Sequence, residues 1–171
     1  IAVPNYLFAV SPAGGMSWAW ETFVVYGSMD ASPALGSDGT IWTASHGESG
    51  YVGPVGQVAA VTPEGETRPL FPLQTGPIIQ SPVVIGDVLY IVESTGDAAV
   101  KAIGPEAVVL WEAKVTSGGW TSRPGDLAVD PEGAVVAATV ADMGTDMQPI
   151  LVVMRLDAVT GEVLWQVTLP V

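Results

Sequence analysis

An all-β fold built from a repeated four-strand unit is what this sequence of 171 residues predicts, and three observations predict it. Glycines and prolines, 20 and 14 in number, interrupt every window long enough to hold an amphipathic helix. The apolar runs are short and bounded by turn residues, as in 88–92 (VLYIV) and 134–138 (AVVAA). The same order of strands and turns then recurs along the chain, and self-similarity over a few tens of residues marks a repeat architecture.

Two repeated segments compose the unit. Residues 9–18 (AVSPAGGMSW), 60–69 (AVTPEGETRP) and 102–111 (AIGPEAVVLW) align without gaps, and 155–165 (RLDAVTGEVLW) joins them with one inserted residue. An apolar strand precedes each segment, a Pro or Gly turn fills it, and an indole ends all but the second. The other segment is 32–42 (SPALGSDGTIW), matched by 81–90 (SPVVIGDVLY) and more weakly by 123–136 (RPGDLAVDPEGAVV). Each copy reads as strand, tight Asp and Gly turn, strand, because those residues supply the positive φ or the side-chain hydrogen bond that a hairpin needs. The turn residues Gly39, Asp87 and Gly133 recur at about 45 to 50 residues, and two hairpins per period is the pattern of a propeller blade. The continuous apolar runs suit inner strands covered on both faces by neighbouring blades.

The expected organisation is a half blade at 1–26 and blades at 27–73, 74–116 and 117–171. Three and a half units are too few for the usual closed ring. The count therefore predicts part of a larger propeller of six to eight blades, completed by the same or another chain, or a compact form in which the first hairpin packs as a partial blade. The missing initiator Met predicts that Ile1 starts a processed or excised chain.

Residues 156–165 (LDAVTGEVLW) resemble the tryptophan-docking motif of pyrroloquinoline-quinone-like (PQQ-like) propeller repeats, A-x-D-x-x-T-G-x-x-x-W. Asp157, Thr160, Gly161 and Trp165 match, and Arg155 stands where Ala is usual. The Ser-Pro openings at Ser32 and Ser81 and the strand at 86–92 (GDVLYIV) also look like that family. The resemblance spans nearly the whole chain and is strong only in the last unit; the segments at 60–69 and 102–111 lack the Asp and the Thr-Gly, and Pro69 replaces an indole. It implies that each Trp docks between blades against a Thr-Gly turn, which makes Trp18, Trp111 and Trp165 structural. The physics agrees, since a Trp buries roughly 150–250 Å² and its N–H needs one partner, which a turn carbonyl supplies. Residues 37–42 (SDGTIW) resemble an Asp-box turn of unrelated propellers as well.

Composition excludes several functions. With 18 acids against 5 bases and a net charge of −13, nucleic acid is an unsuitable partner: Arg68, Lys101, Lys114, Arg123 and Arg155 stand singly among acids. An anionic membrane surface is disfavoured for the same reason, and no run of about 20 apolar residues predicts membrane insertion. The absence of Cys removes disulfides and thiol chemistry without excluding an oxidising compartment. Asp126, Asp130 and Glu132 lack the spacing of a calcium loop.

Catalytic signals are equally sparse. His46, the single histidine, falls in 45–50 (SHGESG), read as a polar loop; no G-x-S-x-G elbow accompanies it, and one His does not build a zinc site. The Gly-rich spans at 47–56 and 117–119 read as connecting loops, because no helix or P-loop Lys follows. Asp30 and Glu93 are candidate axis-facing carboxylates, with solvated loop acids as the bland reading. A long loop is predicted at 141–149 (ADMGTDMQP), where Met143 and Met147 offer an adaptable surface to a partner.

The function expected is a non-enzymatic binding or scaffold module with no cofactor, periplasmic or at the cell surface, with a protein partner. The family resemblance implies this, because the family includes the outer-membrane barrel assembly lipoprotein. The alternatives are the propeller of a quinoprotein oxidoreductase whose cofactor residues lie outside this chain, and a carbohydrate- or polymer-binding domain using Trp42 or Tyr51.

Overall fold

The computed structural model describes residues 6–22, 27–29, 31–49, 53–76, 78, 80–94, 98–115, 126–143 and 148–170. Among them there is no helix, and the strands form four antiparallel sheets. The first is a hairpin of β1 (Tyr6–Val10) and β2 (Met16–Glu21). In the second, β3 (Gly27–Ser28) and β4 (Ala34–Leu35) share the inner edge of β5 (Ile41–Ser49), which continues to β6 (Gly53–Val61) and β7 (Leu73–Thr75). The third runs β8 (Val83–Ile85), β9 (Val88–Ser94), β10 (Ala98–Ile103) and β11 (Val109–Lys114). The fourth runs β12 (Leu127–Val129), β13 (Val135–Met143), β14 (Gln148–Leu156) and β15 (Val163–Pro170).

No sheet has a core of its own; the core lies between sheets. Successive side chains on a strand point to opposite faces, and β9 shows the consequence. Leu89 and Ile91 pack with Trp42, Val58 and Ala60 of the preceding sheet, whereas Tyr90 and Val92 pack with Val135, Ala137 and Met154 of the following one. A strand covered on both faces needs apolar residues at every position, hence the unbroken run at 88–92. Between the first and second sheets, Trp20 packs on Ala59 and Val61. Volumes alternate across the junctions: the large Trp20 meets small residues, and the small Ala113 of β11 meets Met154 and Leu156. Adjacent sheets are also tied at their entries, where the Ser32 N–H donates to Ser81 Oγ at 2.9 Å.

Two sequence expectations need correction. The polar segment 45–49 is strand, not loop: β5 runs through His46 and Gly47, which pair with Gly56 and Val55. Likewise 141–143 and 148–149 belong to β13 and β14, with Ala141 opposite Ile150 and Met143 opposite Gln148. In both hairpins the cross-strand partner holds small and polar residues in the ladder. The outer strand of the second sheet is interrupted. Thr67 makes an isolated bridge to Val61 and the Arg68 N–H donates to Ala60 O at 2.8 Å, the chain then leaves the ladder at 69–72, and pairing resumes with Leu73 opposite Val58. The excursion puts Phe71 edge-on against Trp42, with ring centroids 5.3 Å apart.

Candidate functional site

Three turns of the first repeated segment close with the same pair of backbone bonds, the fourth closes with a like pair over one more residue, and two of the four carry a docked indole. Thr62 N donates to Glu66 O and Gly65 N to Thr62 O, at 2.8 and 2.9 Å; Asp157 N donates to Glu162 O and Gly161 N to Asp157 O, at 2.9 and 2.8 Å. Onto the first of these comes Trp18, from the preceding sheet, whose Nε1 donates to Pro63 O at 2.7 Å. Onto the second comes Trp111, whose Nε1 donates to Ala158 O at 3.0 Å beside the Tyr90 hydroxyl, also at 3.0 Å. The indoles lie flat on glycines: a Cβ on Gly65 would stand 2.7 Å from Trp18 Cδ2, and one on Gly161 would stand 2.6 Å from Trp111 Cδ2. Both glycines have positive φ, +91° and +73°, so two separate constraints require Gly there.

The acidic side chains of these turns are used internally. Asp157 Oδ1 accepts from the Thr160 N–H at 2.8 Å, the Thr160 hydroxyl at 2.9 Å and the Val159 N–H at 3.0 Å. Those bonds, Thr160 N–H foremost, hold its carboxyl below the usual range. Asp130 is lowered chiefly by the Arg155 guanidinium, which bonds it directly, and Asp38 chiefly by the Thr40 N–H. Burial, followed by the neighbouring Asp157 carboxylate, pushes the Tyr90 phenol up.

The sign of the resulting pH dependence follows. Carboxyls whose folded-state values lie below the ordinary 3.8 stabilise the fold fully above that value, and the stabilisation is lost as pH falls through the folded values. The urea midpoint should decline from about pH 4 downward, and Asp130→Asn with Asp157→Asn should flatten that decline. An unchanged acid slope in the double variant would exclude these turns as its source.

Other candidates are placed as follows. Glu93, only 5% exposed, is closed off: it ion-pairs with Lys101 and accepts from the Gly76 N–H at 2.8 Å. His46 sits half-buried in β5. Trp42 is 2% exposed, so the expectation of a glycan platform there is corrected; the Phe71 excursion and the third sheet cover it. Met143 ends β13 and its side chain lies outside the described residues, as do Asp30, Tyr51 and Met147. Trp165 is 42% exposed, and among the described residues no turn receives its indole. No group of three or more His, Cys, Asp or Glu residues able to hold a metal is present among the described residues.

Two features were read only in part or not at all from the sequence. Glu93 was singled out alone, but Ser45 and Thr139 are buried polar residues with it, each three positions beyond the repeat-equivalent Trp42, Tyr90 and Val136. The repeat alignment carried that signal. The second is a cavity of about 250 Å³ lined by apolar residues, among them Leu7 and Ala9 of β1, Trp18, Pro33, Leu35 and Ile41. No local motif announces it, because its walls come from two sheets.

Antiparallel sheets of four strands, stacked face to face through tryptophans, make this chain a segment of a β-propeller. It is similar to BamB from Moraxella catarrhalis, with a TM-score of 0.60 and 14% identity over 90% of this chain and 40% of that one. It is also similar to a protein of unknown function from Bacteroides caccae, with a TM-score of 0.56 and 14% identity over 92% of this chain and 52% of that one. The chain thus spans about half or less of the length of these structures. No family model matches it, and no curated protein matches it.

Proposed function

We propose that this chain is a non-enzymatic, extracytoplasmic protein-binding module of the PQQ-like propeller type. The observation that carries the reading is the apolar cavity beside β1. Among the described residues β1 pairs only with β2, and no described strand lies on its other edge. The cavity lies between the first hairpin and the 33–41 segment of the second sheet, and Leu35, 71% exposed, is one of its lining residues. An extended segment adding to a free sheet edge gains main-chain hydrogen bonds while its alternate side chains enter pockets. The net charge of −13 favours a segment with basic flanks. The fold of BamB and the Asp157, Thr160 and Gly161 turn support the family assignment.

Titration with an extended peptide of alternating Val and Lys is the test, read by calorimetry and by intrinsic tryptophan fluorescence. Saturable binding is expected, weakened about tenfold or more, or roughly 1.4 kcal/mol, by Leu35→Glu. Saturable binding of an oligosaccharide, or of pyrroloquinoline quinone with calcium, in place of the peptide would overturn the reading.

A further inference from the structure

The geometry points to a second contact surface for a protein partner, at the rim of the junction between the second and third sheets. There an arginine side chain of the partner takes the place that a docked indole holds at the other two junctions. The cavity beside β1 has no part in this contact, and the two sites stand or fall separately.

Both walls of the junction have neighbours on either side: the second sheet packs on the first and the third, and the third packs on the second and the fourth. The inner part is filled by Trp42, Phe71, Leu89, Ile91 and Ile103. Only the rim differs from the other junctions. Trp18 and Trp111 hold one place in the repeat, and in the second sheet Pro69 holds it. The turn facing Pro69 closes like the Gly65 turn, with Gly104 N donating to Val108 O at 2.9 Å and Ala107 N to Gly104 O at 3.1 Å. Its carbonyl is left over. Pro63 O and Ala158 O accept indole N–H groups, whereas Pro105 O, the repeat equivalent of Pro63 O, accepts no bond among the described residues.

Backbone strain collects at the same rim. Among the described residues only Leu70 and Ala107 combine a side chain with positive φ, at +69° and +58°, and they stand on opposite walls. Leu70 is the third residue of a turn closed by Phe71 N donating to Arg68 O at 3.2 Å. With Pro69 second, this is the type II pattern, whose third place calls for Gly. A leucine there loses free energy to sterics and regains none by burial, being 70% exposed. The turn is nonetheless fixed, because Phe71 packs edge-on against Trp42 and Arg68 pairs with Asp38 at 3.1 Å. Strain held in place on a surface is a feature of recognition sites, and a rigid element loses little freedom on binding. On the other wall Val108 and Leu110 are both 54% exposed, and Leu110 folds back over its own turn, 3.3 Å from where a Cβ on Gly104 would stand.

Three requirements select the occupant. It lies against apolar surface, from Leu70 and Leu110. It donates to Pro105 O. It carries positive charge, since Glu64 and Glu66 on one turn and Glu106 on the other are exposed, and Arg68 already answers Asp38. An indole fails, because at Gly65 and Gly161 a Cβ would stand only 2.7 and 2.6 Å from the docked ring, and Ala107 has that Cβ. Arginine meets all three requirements with an apolar stem, several N–H donors and a permanent charge.

The probe is the peptide Gly-Leu-Arg-Leu-Gly with blocked ends, titrated into the isotope-labelled chain and followed by backbone amide chemical shifts. Saturable shifts are expected at Leu70, Ala107, Val108 and Leu110. Citrulline in place of the peptide's Arg keeps N–H donors and loses the charge, and should weaken binding about tenfold. Glu106→Gln and Leu70→Gly should each weaken it about fivefold or more. Leu70→Gly should also leave the melting temperature unchanged or raise it, because the strain goes with the side chain. Glu162→Gln removes the same charge from the turn that holds Trp111 and should change binding less than about twofold. No saturable shifts at this rim, equal losses from Glu106→Gln and Glu162→Gln, or a melting temperature lowered by Leu70→Gly would overturn the proposal. Shifts confined to Leu7, Ala9 and Ile41 would overturn it too, while leaving the role of the β1 cavity in place.

Discussion

Gly161→Val is expected to lower the melting temperature by roughly 10–20 °C, taking about 2–4 °C per kcal/mol for a chain of this size. Two costs combine. A β-branched residue at φ +73° loses about 1–2 kcal/mol to backbone sterics alone. The added side chain also begins 2.6 Å from Trp111 Cδ2, so the indole must leave its seat, and losing a packed Trp costs about 3–5 kcal/mol. Gly133→Val supplies the control: φ is +84° and nothing stands within 4 Å of its Cβ, so only the smaller cost applies. A double-mutant cycle separates the contributions. In a Trp111→Ala background, Gly161→Val should cost about 1–2 kcal/mol. Equal costs in both backgrounds would remove the close approach as the cause.

Lys101→Met is expected to destabilise by about 3–5 kcal/mol, because it leaves the Glu93 carboxylate buried without its counter-charge. The Lys101 contact to Glu112, at 3.6 Å with Glu112 half-exposed, contributes little to this. Adding Glu93→Gln should recover most of the loss, since Gln accepts from the Gly76 N–H without requiring a cation. Urea denaturation of the single and double variants checks both statements. A near-neutral Lys101→Met, or a double variant no more stable than the single, would show that the pair does not act as a compensated charge.

What the sequence made legible was local. Gly39, Gly65, Gly133 and Gly161 occupy positive-φ positions, and a turn needs that chemistry wherever it stands, so strand spacing could be read from them. The ends of strands were not legible in the same way. Ser45-His46-Gly47 reads as a loop because its residues are small and polar; it is strand because Gln57, Gly56 and Val55 lie opposite. The two tryptophans Trp18 and Trp42 look alike in the sequence, each ending a repeated segment, at 9–18 and 32–42. One docks on a turn and the other fills a core, and the difference lies in the sheet each one faces. Likewise the docking pattern at 157–165 looks like one motif, but its turn and its indole serve different junctions: Asp157, Thr160 and Gly161 form the seat for Trp111, and Trp165 points the other way.

That displacement bears on how such chains change over generations. Duplicating or exchanging one blade moves an indole away from the glycine it presses on, because Trp18 and Gly65, like Trp111 and Gly161, belong to neighbouring repeats. The segment that can be copied or lost without penalty therefore runs from a Trp to the Gly of the next repeat, straddling two blades. Where Pro69 stands in place of the indole, the turn of the following sheet carries Ala107 in place of Gly, at φ +58°, so that junction has neither member of the docked pair.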